Sequence, residues 1–142
     1  MNTGEYRIET VENQADVIQF LEDKIYEYNS SAINRHDGKS FTKVIRHENG
    51  NIIGGISGWT WAAISEITLL WVEERNRNNG FGQILLEAAE DKIINEGCKT
   101  ILLRSYSFQA PFFYERNGYQ TVFVMDDFPD GCRHYTLVKK LS

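Results

Sequence analysis

The chain has 142 residues, 42% of them apolar and 25% charged, with a net charge of −5. This is the material of one globular domain, residues 1–142, with enough apolar side chains for a core. The acidic balance argues against nucleic acid as a partner, no apolar run reaches the length of a membrane span, and no signal-peptide core opens the chain. Two cysteines, Cys98 and Cys132, lie far apart without disulfide or metal spacing, which points to a reducing cytoplasm and no bound metal.

Taken in order, Tyr6–Glu12 alternates and carries β-formers, which predicts a first strand. Asn13 is placed to cap a helix with the stripe Val17, Ile18, Phe20, Leu21, Lys24, Ile25 and Tyr28. Residues 29–39 read as a loop with room for a short helical turn at 30–34. Strands at 41–47 and 52–61 flank Glu48-Asn49-Gly50-Asn51, a hairpin with Asn-Gly at its turn. Gly54, Gly55 and Gly58 inside a strand suggest a bulge, or close approach of another segment or a ligand. A tight turn near Ala62–Ala63 leads to a strand at 66–72 that is apolar on both faces, as in a doubly buried strand.

A charged, amide-rich loop follows from Glu73 to Asn79. Gly80 and Gly82 then open a helix with the stripe Ile84, Leu85, Ala88, Ala89, Ile93 and Ile94, closed by Gly97. The strand at 100–105 completes a βαβ unit, which predicts a right-handed crossover and parallel pairing with 66–72. Residues 107–118 read as a short helix capped by Ser107, with Pro111 in its first turn and Gly118 closing it. Strands at 119–126 and 132–139, joined by a turn at 127–131, form a second hairpin.

The loop at 73–82 carries the chemistry. N–H groups at a helix start have no intrahelical partner, the helix dipole favours an anion there, and glycine permits close approach. Arg77 adds a full positive charge, so a phosphorylated cofactor is expected. A P-loop would need Lys-Ser/Thr after the glycines, and a dinucleotide fingerprint would need glycine where Leu85 stands. A plain strand-loop-helix corner with Asn-Gly turn chemistry remains the alternative for these residues taken alone.

Arg77-Asn78-Asn79-Gly80-Phe81-Gly82 resembles the Arg/Gln-x-x-Gly-x-Gly/Ala pyrophosphate loop of the GCN5-related N-acetyltransferase (GNAT) family. One strand later, Ala110-Pro-Phe-Phe-Tyr114-Glu-Arg-Asn-Gly118-Tyr119 resembles that family's Ala-x-x-Leu-Tyr-Glu-Lys-x-Gly-Phe stretch. The wording from Ser107 to Pro111 also looks like a subgroup of small bacterial members. The order of elements matches over about residues 5–141, and motif-level matches cover 66–119.

The resemblance implies an α+β fold: a mixed, mostly antiparallel central sheet of about six to seven strands, flanked by about four helices. It implies a splay between the strands at 66–72 and 100–105, and acetyl-CoA as co-substrate. The pyrophosphate would sit on Arg77, Asn78, Asn79, Gly80, Phe81, Gly82 and Gln83. The pantetheine arm would lie along Leu70, Trp71 and Val72. Ser107 stands where many relatives carry a cofactor-contacting asparagine. Tyr114 would be the general acid for the departing thiolate, against the alternative of a half-buried core tyrosine. Glu66, eleven residues before Arg77, matches the position of a catalytic glutamate in histone-acetylating members. It would serve as base, unless water does so and Glu66 is a solvent-facing strand residue. The implied activity is acetyl transfer to a primary amine of a small molecule or peptide, with residues 29–39 shaping specificity. The rival reading is a non-catalytic acyl-CoA-binding sensor or interaction module. A homodimer contributed by the final hairpin is a further expectation.

Overall fold

A computed structural model describes residues 4–141. These fall into two compact units, one ending at His36 and one beginning at Asp37. The first holds a single helix, α1 (Gln14–Ile33). Asn13 stands at its N-cap position, but its side chain makes no capping hydrogen bond. The helix continues into the segment expected to be a loop, over residues 29–33 where the sequence allows a short helical turn, and stops where Asn34 turns left-handed, at φ 55°. The N–H groups of Asn34 and Arg35 both return to the Ser30 carbonyl, which satisfies the helix end.

The strand expected at Tyr6–Glu12 does not form. Tyr6 is 67% and Ile8 85% exposed, so the alternation has no buried face to supply. Without a neighbouring strand to pair its backbone, a β-prone sequence gains nothing from extending into a sheet.

The second unit is built on one six-stranded sheet: β1 (Lys39–Arg46), β2 (Ile52–Trp61), β3 (Ile64–Val72), β4 (Thr100–Tyr106), β5 (Gln120–Asp126) and β6 (Arg133–Lys140). The order across it is β1-β2-β3-β4-β6-β5, and only β3 and β4 are parallel. Between them runs α2 (Phe81–Asn95); between β4 and β5 lies α3 (Pro111–Arg116). The α+β class with a mostly antiparallel sheet is thus as expected. The described residues hold six strands and three α-helices, with a 3₁₀ turn at Glu74–Asn76, rather than a fourth α-helix.

Turn chemistry explains the hairpins. Asn49-Gly50 closes β1 to β2, with Gly50 at φ 91° and its N–H on the His47 carbonyl at 2.8 Å. Ala62 and Ala63 close β2 to β3 with both φ values positive, at 51° and 65°, the pattern of a two-residue type I′ loop. Alanine is strained there. The Asp37 carboxylate holds the Ala62 N–H at 3.0 Å, and the Lys99 N–H donates to the Ala63 carbonyl at 2.8 Å.

The core lies between the sheet and α2. Leu85, Leu86, Ala89 and Ile93 of the helix are buried against Ile56, Ile67, Ile101, Leu103 and Leu137. Fully burying such side chains contributes roughly 1.5–3 kcal/mol each. A buried polar link ties the layers together. Tyr119 donates to Glu90 of α2 at 2.7 Å, and Lys139 of β6 reaches the same carboxylate oxygen at 3.1 Å.

Candidate active site

The site begins with an irregularity between β2 and β3. Ser57 pairs with Leu69 but Gly58 pairs with Ile67, so Thr68 is an extra residue on β3. Its hydroxyl donates to the Ser57 carbonyl at 3.2 Å. A bulge of this kind bends the strand that carries it. Only glycine fits opposite: a Cβ at position 58 would collide with the Glu66 carbonyl and stand 2.9 Å from the Phe41 ring. Of the openings the strand glycines suggested, the bulge is realised at Gly58. At Gly54 the close neighbours are Leu85 and the Trp71 carbonyl.

The bend has a direct consequence. The parallel ladder between β3 and β4 runs from Ile64 opposite Thr100 to Ile67 opposite Leu103 and stops one residue before the bulge. Beyond it the two strands part, and a cleft of about 740 Å³ opens. β3, the loop after it, the start of α2, β4 and α3 all line this cleft.

The register shows which backbone groups face the gap. The Glu73 N–H donates to the Ile53 carbonyl, which makes 73 and 53 a hydrogen-bonded pair. Antiparallel pairs alternate, so Trp71 and Leu69 spend their backbone groups on β2, while Leu70 and Val72 turn theirs toward the cleft. Of the expected pantetheine residues, Leu70 and Val72 therefore present main chain. Trp71 also lines the cleft and is 50% exposed.

At the cleft's other end the loop folds into a compact cradle. Asn76 donates to Glu73 at 2.9 Å, and Asn78 adopts φ 64°. Gly80 at φ 81° stands immediately before α2. No side chain caps the helix start, so the N–H groups of its first turn are open to an anion. The two glycines differ. Gly80 is required by its φ. At Gly82 an added Cβ would meet only the Phe113 ring, at 3.7 Å, so protein packing does not demand glycine there. Open space on that side suits a phosphate lying on the backbone. Arg77 folds back, its Nε donating to the Val72 carbonyl at 2.9 Å, which fixes the guanidinium at the junction of strand and loop. These features fit the pyrophosphate and amide arm of acetyl-CoA.

Tyr114 lines the same cleft from α3. Its ring is wedged between Phe113 and Tyr119, with centroids at 5.2 and 5.8 Å. Among the described residues its hydroxyl has no hydrogen-bond partner. Burial pushes this phenol up from 10.0 to about 12. Burial and the Glu90 carboxylate push Tyr119 up as well.

Glu66 and Arg104 occupy the sheet face opposite α2. Glu66 lies beside Leu102 in the parallel ladder, and Arg104 is two residues farther along the same face of β4. An Nη of Arg104 donates to Glu66 Oε2. Arg104 lines the cleft and Glu66 does not. The splay thus perforates the sheet, with the glycine loop and Tyr114 on the α2 side and the Glu66–Arg104 pair on the other.

Leu70, Trp71, Val72, Arg77, Asn78, Gly80, Phe81, Gly82, Gln83 and Tyr114 all come together around the cleft. Gln83 is tethered to Asn117 at 2.7 Å. Two expected cofactor residues do not line it. Asn79 turns back to the Asn76 carbonyl at 3.4 Å. Ser107 neither lines it nor caps α3: that helix starts at Pro111, and the Ser107 hydroxyl instead accepts the Arg133 N–H at 3.0 Å. The sequence reading missed Arg104. A lone charge in the run Ile101-Leu-Leu-Arg104-Ser was the available signal. Cys98 is buried, donates to the Ile64 carbonyl at 3.5 Å, and has a thiol pushed up by burial, all contrary to a nucleophile's needs.

Fold and site together define an enzyme in which a parallel strand pair opens over a phosphate-ready helix start. The chain matches the acetyltransferase (GNAT) family over residues 6–119 and belongs to that family. It is an N-acetyltransferase. Blasticidin-S acetyltransferase of Streptomyces morookaense is 37% identical over 98 residues, covering 66% of this chain and 70% of the relative. The crystal structure of an acetyltransferase from Bacillus cereus superposes with a TM-score of 0.79 at 32% identity, over 96% of this chain and 99% of that one. A proposed acetyltransferase from Agrobacterium tumefaciens superposes at 0.83 with 24% identity, over 95% and 98%, a likeness of fold. No helix among the described residues is long and apolar enough to cross a membrane.

Proposed function

We propose that the chain moves the acetyl group of acetyl-CoA directly to a primary amine of a small molecule. The observation that carries this is the parallel ladder broken at Ile67 and Leu103, with a cleft running from the glycine loop past Tyr114. Acetyl-CoA supplies a thioester carbon open to attack by a neutral amine. The chain's residues supply the rest. Main-chain groups of Leu70 and Val72 take the amide arm as an added strand, and the α2 N-terminus with Arg77 takes the pyrophosphate.

As the new C–N bond forms and the C–S bond breaks, the amine must lose a proton and the sulfur must be stabilised. Glu66 Oε1 has no protein partner among the described residues and receives the proton, directly or through water. Tyr114 faces the sulfur. Burial raises the pKa of this phenol, so it keeps its proton at neutral pH and can donate it toward the departing sulfur. Tyr114 therefore serves as hydrogen-bond and proton donor to the developing thiolate. The acceptor class follows the antibiotic-acetylating relative: an amine-bearing antibiotic of the blasticidin type.

A coenzyme A release assay with acetyl-CoA and an amine panel that includes blasticidin S tests this. Turnover dependent on the amine supports the transferase. Acetyl-CoA binding without turnover on any amine favours a sensor, and absence of binding removes the cofactor assignment.

A further inference from the structure

Resting on the transferase reading, we propose that Arg104 is a carboxylate-recognition residue and that the preferred acceptor is zwitterionic, an amine bearing a carboxylate close to its ammonium group. The charged side chains lining the cleft are Arg77, Arg104 and Arg116, with no aspartate or glutamate among them, in a chain of net charge −5. Arg77 is fixed at the cofactor loop by its bond to Val72. Arg104 stands instead on the face opposite α2, where the second substrate must enter because the glycine loop and Tyr114 occupy the other side.

Arg104 has one polar partner among the described residues, an oxygen of Glu66. The rest of its guanidinium fork is unpaired, although that fork is built for bidentate binding of a carboxylate. Its side chain is half exposed and Glu66 is 21% exposed, so the pair adds little to stability. Both ends are incomplete: Glu66 keeps Oε1 free, and Arg104 keeps its remaining donors.

Charge balance then selects the acceptor. A simple ammonium entering beside Glu66 must compete with Arg104 for the same carboxylate and lie next to a like charge. A zwitterion exchanges the one pair for two, its ammonium on Glu66 and its carboxylate on the Arg104 fork. No charge is left unmatched.

The test is coenzyme A release with matched acceptors: several α- and β-amino acids, each against its own carboxamide. Wild-type enzyme should favour the carboxylate member in kcat/KM by at least about tenfold. In Arg104→Gln the ratio should fall to near one, through KM of the carboxylate member. A ratio within one variant is independent of how much of it is folded. Equal wild-type rates, or a preference that survives Arg104→Gln, overturn the assignment of Arg104 and leave the transferase standing. No release with these acceptors, from enzyme that turns over another amine, overturns this assignment alone; no release with any amine, blasticidin S included, overturns the transferase reading and this assignment with it.

Discussion

Replacing Tyr114 with phenylalanine isolates one atom. The ring keeps its contacts with Phe113 and Tyr119, because only Oη is removed. That hydroxyl has no partner among the described residues, so its removal breaks no hydrogen bond of the resting protein. Stability should stay within about 0.5 kcal/mol of wild type. Activity should respond very differently. A single preorganised donor to developing charge in a shielded site is worth about 3 kcal/mol, or roughly a hundredfold in kcat, with acetyl-CoA affinity little changed. The pH profile adds a second readout. A phenol at about 12 stays protonated through the working range, so wild-type kcat should show no falling limb from Tyr114 ionisation below about pH 11. The assay is steady-state coenzyme A release from pH 6 to 10.5, beside thermal melts. A kcat within threefold of wild type, or a large loss of stability, would refute the role given to Oη.

Stability itself should fall in alkali. The folded Tyr114 pKa is raised above 10.0, so its contribution is complete below pH 10 and is lost as pH rises toward 12, by up to about 3 kcal/mol; denaturant melts across that window, repeated on Tyr114→Phe, would show it. Gly58→Ala should destabilise by more than about 1–3 kcal/mol, because its Cβ meets the Glu66 carbonyl, backbone that cannot move aside without shifting the bulge, and a mutant melting like wild type would contradict this. Gly80→Ala should cost about 1–2 kcal/mol through its positive φ alone, since nothing lies within 4 Å of the added Cβ, and calorimetry would measure it. Arg77→Met should weaken acetyl-CoA binding about tenfold by titration, with a reduced salt dependence.

Much of the fold was legible because its signals are local. The α2 stripe, closed by Gly97, gave that helix nearly to its ends, and Asn49-Gly50 marked the first hairpin. Residues 6–12 misled because alternation describes a strand's faces and says nothing of a partner. The loop at 29–39 misled because polar Asn29, Ser30 and Ser31 continue α1 until Asn34 turns left-handed. The cleft was legible only through the family resemblance. Its physical cause, Thr68 bulging opposite Gly58, depends on a register no single strand displays. The Glu66–Arg104 pair lies across two parallel strands separated by 38 positions, beyond the reach of spacing arguments. Ser107 illustrates the reverse case: a good local cap signal lost to a tertiary bond with Arg133.

The opening between β3 and β4 is proposed as an acetyl-CoA site serving amine acetylation. Isothermal titration with acetyl-CoA, followed in the same sample by coenzyme A release on adding amines, measures both halves. The expected result is one site per chain, with affinity in the range of about 1 μM to 1 mM, and release that requires an amine. No binding, or binding with no release from any amine, would contradict the account.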